Sequence, residues 1–199
     1  MKRSFAIVVT LIASTIFSSA QTQAERDRAV QYLEQTRAKV LEATKGLSEA
    51  QLNFKPAPDR WSVAEVAEHI AAAEDLLYSS IQDKVMKAPA RPAAEDVKAL
   101  DEFVLAAIPD RSHKAQAPEP LKPTNRYASL EGTLKHFNES RDRTVGFVKT
   151  GQGLRDHATD SPLGKKLDAY EWVLFIAAHS ERHTKQILEV KADPNFPKS

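Results

Sequence analysis

His179 and His183 stand four residues apart in the run Ala177-Ala178-His179-Ser180-Glu181-Arg182-His183-Thr184-Lys185-Gln186-Ile187. In a helix that spacing puts two imidazoles on one face, about one turn apart. Their stripe continues through Trp172 and Ile176 before them and Ile187 and Val190 after them, so it must face a core. Two inward imidazoles one turn apart can grip a single metal ion. His69, flanked at helical spacing by Val66 and Ala73, also lies on a predicted inward stripe and is the candidate third ligand. Three neutral imidazoles leave one position of an ion for water or another ligand, as in a catalytic or ligand-accepting site. An ion so held can lower the pKa of a bound water, as a hydrolase needs, or activate an incoming thiolate, as a transferase needs. Imidazole suits zinc, nickel, copper and iron(II), so the ligands alone do not choose the metal. From spacing alone, a packed cluster of core histidines competes with this reading. The sequence offers no serine–histidine or cysteine–histidine arrangement and no glycine-rich phosphate loop.

Four long amphipathic runs can position these residues. The first goes from about Ala24 to Lys45, with Val30, Leu33, Val40 and Leu41 at helical spacing and Gly46 as a stop. The second opens at Trp61-Ser62-Val63-Ala64-Glu65, where Ser62 and Glu65 match a capping box, and runs to about Met86. Trp61 is expected to pack over its start. The third spans about Ser129 to Thr150; Arg141 interrupts its apolar stripe, and His136 and Arg143 read as a solvated flank. The fourth, about Leu167 to Lys191, carries the histidine pair. Residues 87–126 contain six prolines and one helical piece at about Ala93 to Ala107. Too little of that stretch is apolar for a core of its own, so it reads as a crossover. His113 falls in its most polar part, and His157 in a polar connection before the fourth helix. No stretch alternates convincingly as a strand. The expected fold is all-α, a four-helix bundle with a long crossover between the second and third long helices. Residues 192–199 read as a short polar tail.

The first twenty residues differ in kind. Lys2 and Arg3 precede an apolar run from Phe5 to Phe17, and Ser18-Ser19-Ala20 follows. This is the pattern of a secretory signal peptide, cut after Ala20 or as late as Ala24, and the apolar run is too short for an ordinary membrane span. The expected location is therefore periplasmic or secreted, with no stable membrane insertion after processing. Removal of residues 1–20 leaves 26 Lys and Arg against 27 Asp and Glu, a net charge of −1. A near-neutral chain of mixed charges gives no electrostatic case for binding nucleic acid. Cysteine is absent, which excludes disulfides, thiolate ligands and a thiol nucleophile. The expected partner is a small-molecule ligand or substrate; a homodimer is compatible with the sequence, but no residue specifies its interface.

The block Phe54-Lys55-Pro56-Ala57-Pro58-Asp59-Arg60-Trp61-Ser62, His69 eight residues after the tryptophan, and the downstream His-x-x-x-His-x-x-Gln pattern fall in one order. In that combination the chain resembles the DinB-like superfamily, closest to its DinB_2 branch, over about residues 25–190. The resemblance implies an up-down-down-up four-helix bundle with zinc, nickel or iron held by His69, His179 and His183. It also implies an activity drawn from thiol-dependent S-transferases and isomerases, although those work in the cytoplasm and this chain begins with an export signal. Metal-bound imidazole normally donates its other N–H to an acceptor. Glu74, Glu68 and Glu181 are the carboxylate candidates for that task or for a base, beside the alternative of solvated helix-face charges. Gln186 matches the family pattern and is expected to line the pocket or hold a polar contact. Glu74 and Gln186 are thus the candidate catalytic residues. A non-catalytic metal-binding or small-ligand module of the periplasm is the alternative function.

Overall fold

The computed structural model describes residues 22–92 and 96–198. The expected signal segment, residues 1–20, lies outside the described residues. Helix α1 (Gln23–Thr44) starts where Thr22 and Glu25 close a capping box, and the short α2 (Glu49–Asn53) starts at a second one made by Ser48 and Gln51. Helix α3 (Val63–Asp83) begins at the capping box read from Ser62 and Glu65. Such a cap satisfies N–H groups that have no partner inside the helix and is worth about 1 kcal/mol. The crossover carries α4 (Val97–Ala107), capped by Asp96, and α5 follows at Leu130–Thr150. Helix α6 (Ala169–Lys191) closes the bundle.

Helix α4 starts at Val97, after its Asp96 cap, and residues 93–95 of the expected piece lie outside the described residues; two further differences from the sequence expectation lie at the ends of α3 and α6. Helix α3 stops at Asp83 and passes into a 3-10 turn at Val85–Lys87, short of Met86. Helix α6 begins at Ala169 because Asp168 is its cap, accepting from the Glu171 N–H. The residues before it form a strand, β2 (Lys166–Asp168), paired antiparallel with β1 (Ala158–Asp160). Gly164, at φ 68°, supplies the left-handed turn between them. Three residues per strand are too few for an alternating pattern to register, which is why this hairpin escapes a periodicity reading.

Cross-helix contacts fix the directions. Tyr170 near the start of α6 bonds the Glu25 carbonyl at the start of α1, and Lys191 bonds the Ala43 carbonyl at its end, so these helices run parallel. Asp75 meets His136 and Ser140 while Tyr78 stacks edge-on against Phe147, so α3 and α5 are parallel too. Arg26 at the start of α1 bonds the carbonyls of Val148 and Gly151 at the end of α5, which makes that pair antiparallel. The topology is up-down-down-up.

Arg141 joins all four long helices. Its fully buried guanidinium grips both Glu74 carboxylate oxygens at 2.8 Å and donates to the Leu33 carbonyl, the Thr36 hydroxyl and the Ser180 hydroxyl. The residue that interrupts the apolar stripe of α5 is therefore the polar centre of the core. Near the start of α6, Arg155 grips Asp101 at 2.9 and 2.8 Å, and it also bonds Asp168 and Glu25. Arg91 bonds Asp168 and Glu171 beside it. This network ties α4 of the crossover to the bundle. The last residues are docked, with Phe196 edge-on to Phe54 and the Pro197 carbonyl accepting from Gln51.

Candidate metal centre

The face of α3 that carries His69 packs against the face of α6 that carries His179 and His183, antiparallel, near the capped start of α3. The three imidazoles come together: one ring nitrogen from each lies within 4.8 Å of the others. Among the described residues no fourth histidine, cysteine, aspartate or glutamate joins them. His69 is 3 % exposed and His183 9 %, while His179 keeps more contact with solvent. The Trp61 ring lies 4.8 Å from His69, covering the start of α3 as its sequence position suggests. Phe175 stacks on His179 from the turn before it.

Hydrogen bonds decide which nitrogens face inward. His69 Nδ1 lies 2.9 Å from the Leu121 carbonyl oxygen. A carbonyl can only accept, so Nδ1 carries the proton and Nε2 carries the lone pair. His183 Nδ1 lies 2.8 Å from Gln186 Oε1, which gives it the same tautomer. The two Nε2 atoms then face each other at 3.1 Å, lone pair to lone pair. That arrangement is unfavourable by itself and fits a shared cation. Zinc–imidazole bonds of about 2.0–2.1 Å in a tetrahedral site space their nitrogens about 3.3 Å apart. No protein group among the described residues engages a ring nitrogen of His179, so packing against Phe175 and the two other imidazoles sets its orientation.

The electrostatics favour neutral ligands. Burial pushes His69 below the ordinary histidine value, opposed in part by the Leu121 carbonyl. Burial pushes His179 and His183 well below it, and the neighbouring imidazoles and Arg182 add to the effect. Neutral imidazole is the form that binds a metal. The donor set, its spacing and its protonation state all fit a divalent transition metal.

The carboxylates considered as partners of the histidines lie elsewhere. Glu74 is 1 % exposed and held by Arg141 and Thr144, so it neither reaches a histidine nor faces solvent. Glu181 accepts from the Tyr32 hydroxyl at 2.9 Å and pairs with Lys185. Glu68 turns to the crossover, where it accepts from the N–H groups of Thr124 at 2.7 Å and Asn125 at 2.8 Å and from Arg126 Nε at 3.0 Å. Burial opposes its ionisation, but these bonds prevail and hold the carboxyl below its ordinary value. Asn125 takes φ 60° in this turn. Glu68 thereby fastens the segment whose Leu121 carbonyl orients His69. Of the two candidate catalytic residues, Gln186 adjoins the centre and Glu74 does not.

Four residues took roles that the sequence reading did not assign them. The Leu121 carbonyl is backbone, and no residue type announces it. Arg111 and Glu189 come from the crossover and α6 and meet only in the fold. His136, read as a solvated flank, pairs with Asp75 and stacks on Tyr127. His113 supplies a carbonyl to Arg182, and His157 bridges to Ala90 on the backbone.

Comparison with known proteins agrees with the architecture. YuaE of Bacillus subtilis, described as an uncharacterized protein, is 27% identical over 148 residues, covering 74% of this chain and 87% of that protein. The solved structure of YfiT from Bacillus subtilis is described as "a probable metal-dependent hydrolase with an unusual four-helix bundle topology". It superposes with a TM-score of 0.55 at 18% identity, over 89% of this chain and 91% of that one, a likeness of fold. The DinB_2 family model, described as DinB superfamily, matches residues 32–187, which include all three histidines, and the chain belongs to that family.

Proposed function

We propose that this chain is an exported metal-dependent hydrolase acting on a small molecule at an open coordination position of the three-histidine centre. One observation carries the reading: three neutral imidazoles, those of His69 and His183 buried and that of His179 half-buried, converge with no fourth protein ligand among the described residues. A structural site would be closed by a fourth side chain, whereas three histidines leave room for a reactant. His69, His179 and His183 would hold the ion, the Leu121 carbonyl and Gln186 would orient two of them, and Trp61 would shield one side. When bound, a divalent zinc, nickel or iron supplies Lewis acidity at the open position. The description of YfiT as a probable metal-dependent hydrolase favours hydrolysis over thiol transfer.

The test is metal content followed by activity. Tag-free protein from metal-supplemented growth should retain close to one equivalent of a transition metal after dialysis; less than about a tenth of an equivalent would end the proposal. His179→Ala should lose the metal while keeping wild-type helix content by circular dichroism. Loaded protein should then cleave members of an ester and amide panel, with activity lost to chelation and regained on re-addition. Metal retention with no turnover would favour a binding module.

Export rests on the signal-like first twenty residues, and the start of α1 bears only on where the cut would fall. A cut after Ala20 leaves the Thr22–Glu25 capping box intact, whereas a cut after Ala24 removes it. The mature N-terminus should lie near Gln21, and recovery of intact Met1 protein from the cytoplasm would refute export.

A further inference from the structure

Arg111 lies just beyond α4, in a segment that α6 grips along one side. Arg182 donates to the carbonyls of Ile108, Asp110 and His113, and Lys185 donates to that of Pro109. From this segment Arg111 returns to the same helix. Its Nε and one terminal nitrogen meet the two Glu189 oxygens at 2.6 Å, a bidentate fork that fixes the guanidinium plane. The other terminal nitrogen lies 3.4 Å from Gln186 Oε1, the oxygen that His183 Nδ1 approaches at 2.8 Å.

The chemistry of an amide makes this contact consequential. A glutamine side chain has an accepting oxygen face and a donating NH2 face, and it can present either to an imidazole. The oxygen face requires His183 to be protonated on Nδ1, leaving the Nε2 lone pair inside the cluster. The NH2 face would require a lone pair on Nδ1 and would protonate Nε2, removing a ligand from the ion. Arginine can only donate, so the guanidinium charge repels the NH2 face and attracts the oxygen. At 3.4 Å the contact is long for a hydrogen bond, and its effect is to orient the amide dipole.

We propose that Arg111 is a positioning residue for the metal centre: braced by Glu189, it keeps the Gln186 oxygen on the His183 Nδ1–H and so keeps the His183 Nε2 lone pair directed at the ion. The proposal rests on the reading of the histidines as a metal centre, but the tautomer it invokes belongs to the metal-free protein and can be read there. The crossover thereby orients two ligands, His69 through the Leu121 carbonyl and His183 through Arg111 and Gln186. Metal affinity becomes sensitive to a residue that touches neither the ion nor a histidine.

The experiment uses the full mature chain with 15N-labelled histidine, metal-free, at roughly pH 8, above the ordinary histidine value. Long-range 1H–15N spectra should show wild-type His183 as the Nδ1–H tautomer. Arg111→Met should give a mixture of tautomers at His183 while leaving His69 unchanged. Zinc affinity, measured by chelator competition, should fall about 10–100-fold in Arg111→Met, the usual cost of losing a partner that orients a ligand. Adding Gln186→Glu to Arg111→Met should restore both the tautomer and the affinity, because a carboxylate presents only acceptors. A purely structural role for Arg111 would not be rescued in this way. An unchanged tautomer in Arg111→Met, or failure of Gln186→Glu to restore it, would overturn the proposal. Absence of zinc binding in the wild type, with the tautomers behaving as stated, would remove the metal reading and leave the positioning of His183 standing.

Discussion

Replacing Arg141 by Met removes the group that joins the four long helices and leaves Glu74 buried with only the Thr144 hydroxyl, 3.1 Å away. Both partners lie beyond solvent, at 0 % and 1 % side-chain exposure, so water cannot replace the guanidinium. Removing one member of a buried pair costs about 3–5 kcal/mol, because the other charge is left uncompensated. For a chain of this size each kcal/mol moves the thermal midpoint by about 2–4 °C, so Arg141→Met should lower it by roughly 6–20 °C. Changing Glu74→Gln in the same chain removes the stranded charge and leaves a neutral amide short of partners, at about 1–3 kcal/mol. The double variant should therefore be more stable than the single one. Thermal unfolding followed by circular dichroism reads both, on metal-free protein so that ligand binding does not shift the midpoint. A fall of under about 3 °C in Arg141→Met, or a double variant no more stable than the single, would refute the reasoning. The same pair decides the status of Glu74. Any hydrolysis found for the wild type should survive in the double variant below its melting range, since Glu74 is a core ion-pair partner. Its loss in a folded, metal-loaded double variant would return Glu74 to the catalytic candidates.

Stability of the metal-free protein should carry a histidine signature. The three imidazoles are depressed in the folded chain, so below the ordinary value of about 6.5 the unfolded state binds more protons. Their contribution is present above that value and is lost as pH falls toward the depressed folded values. Glu171, pushed up to about 7 chiefly by burial, acts with the opposite sign: its contribution is lost as pH rises toward 7. The histidine term is therefore read as the difference between wild type and His183→Asn, which should shrink between about pH 7 and 5; a constant difference would contradict it. Separately, Glu68→Ala should strand the N–H groups of Thr124 and Asn125, cost about 1–3 kcal/mol and speed their hydrogen exchange selectively, and unchanged protection there would show that Glu68 does not fasten the crossover.

The elements that carry the site were legible because they rest on local rules. The capping box at Ser62 and Glu65, the i, i+4 histidines and the apolar flanks of His69 each depend on residues within a turn or two, where helix geometry dictates who is neighbour to whom. The short hairpin before α6 and the end of α3 were not legible, since three-residue strands and a 3-10 turn leave no period to detect. Glu74 lies five positions past His69, close enough in sequence to look like its partner. Only the packing of α5 shows that Arg141 takes it, and Arg141 itself looked like a flaw in an apolar stripe.

By itself the sequence determined that three imidazoles would face inward from two helices, because burial of an amphipathic stripe leaves them no other side. The tertiary structure decided which nitrogen of His69 and of His183 turns inward. That choice depends on a carbonyl at Leu121, 52 residues from His69 along the chain, and on an amide at Gln186 that Arg111 approaches across 75 residues. A ring nitrogen takes its proton according to the atom opposite it, and only folding brings those atoms together.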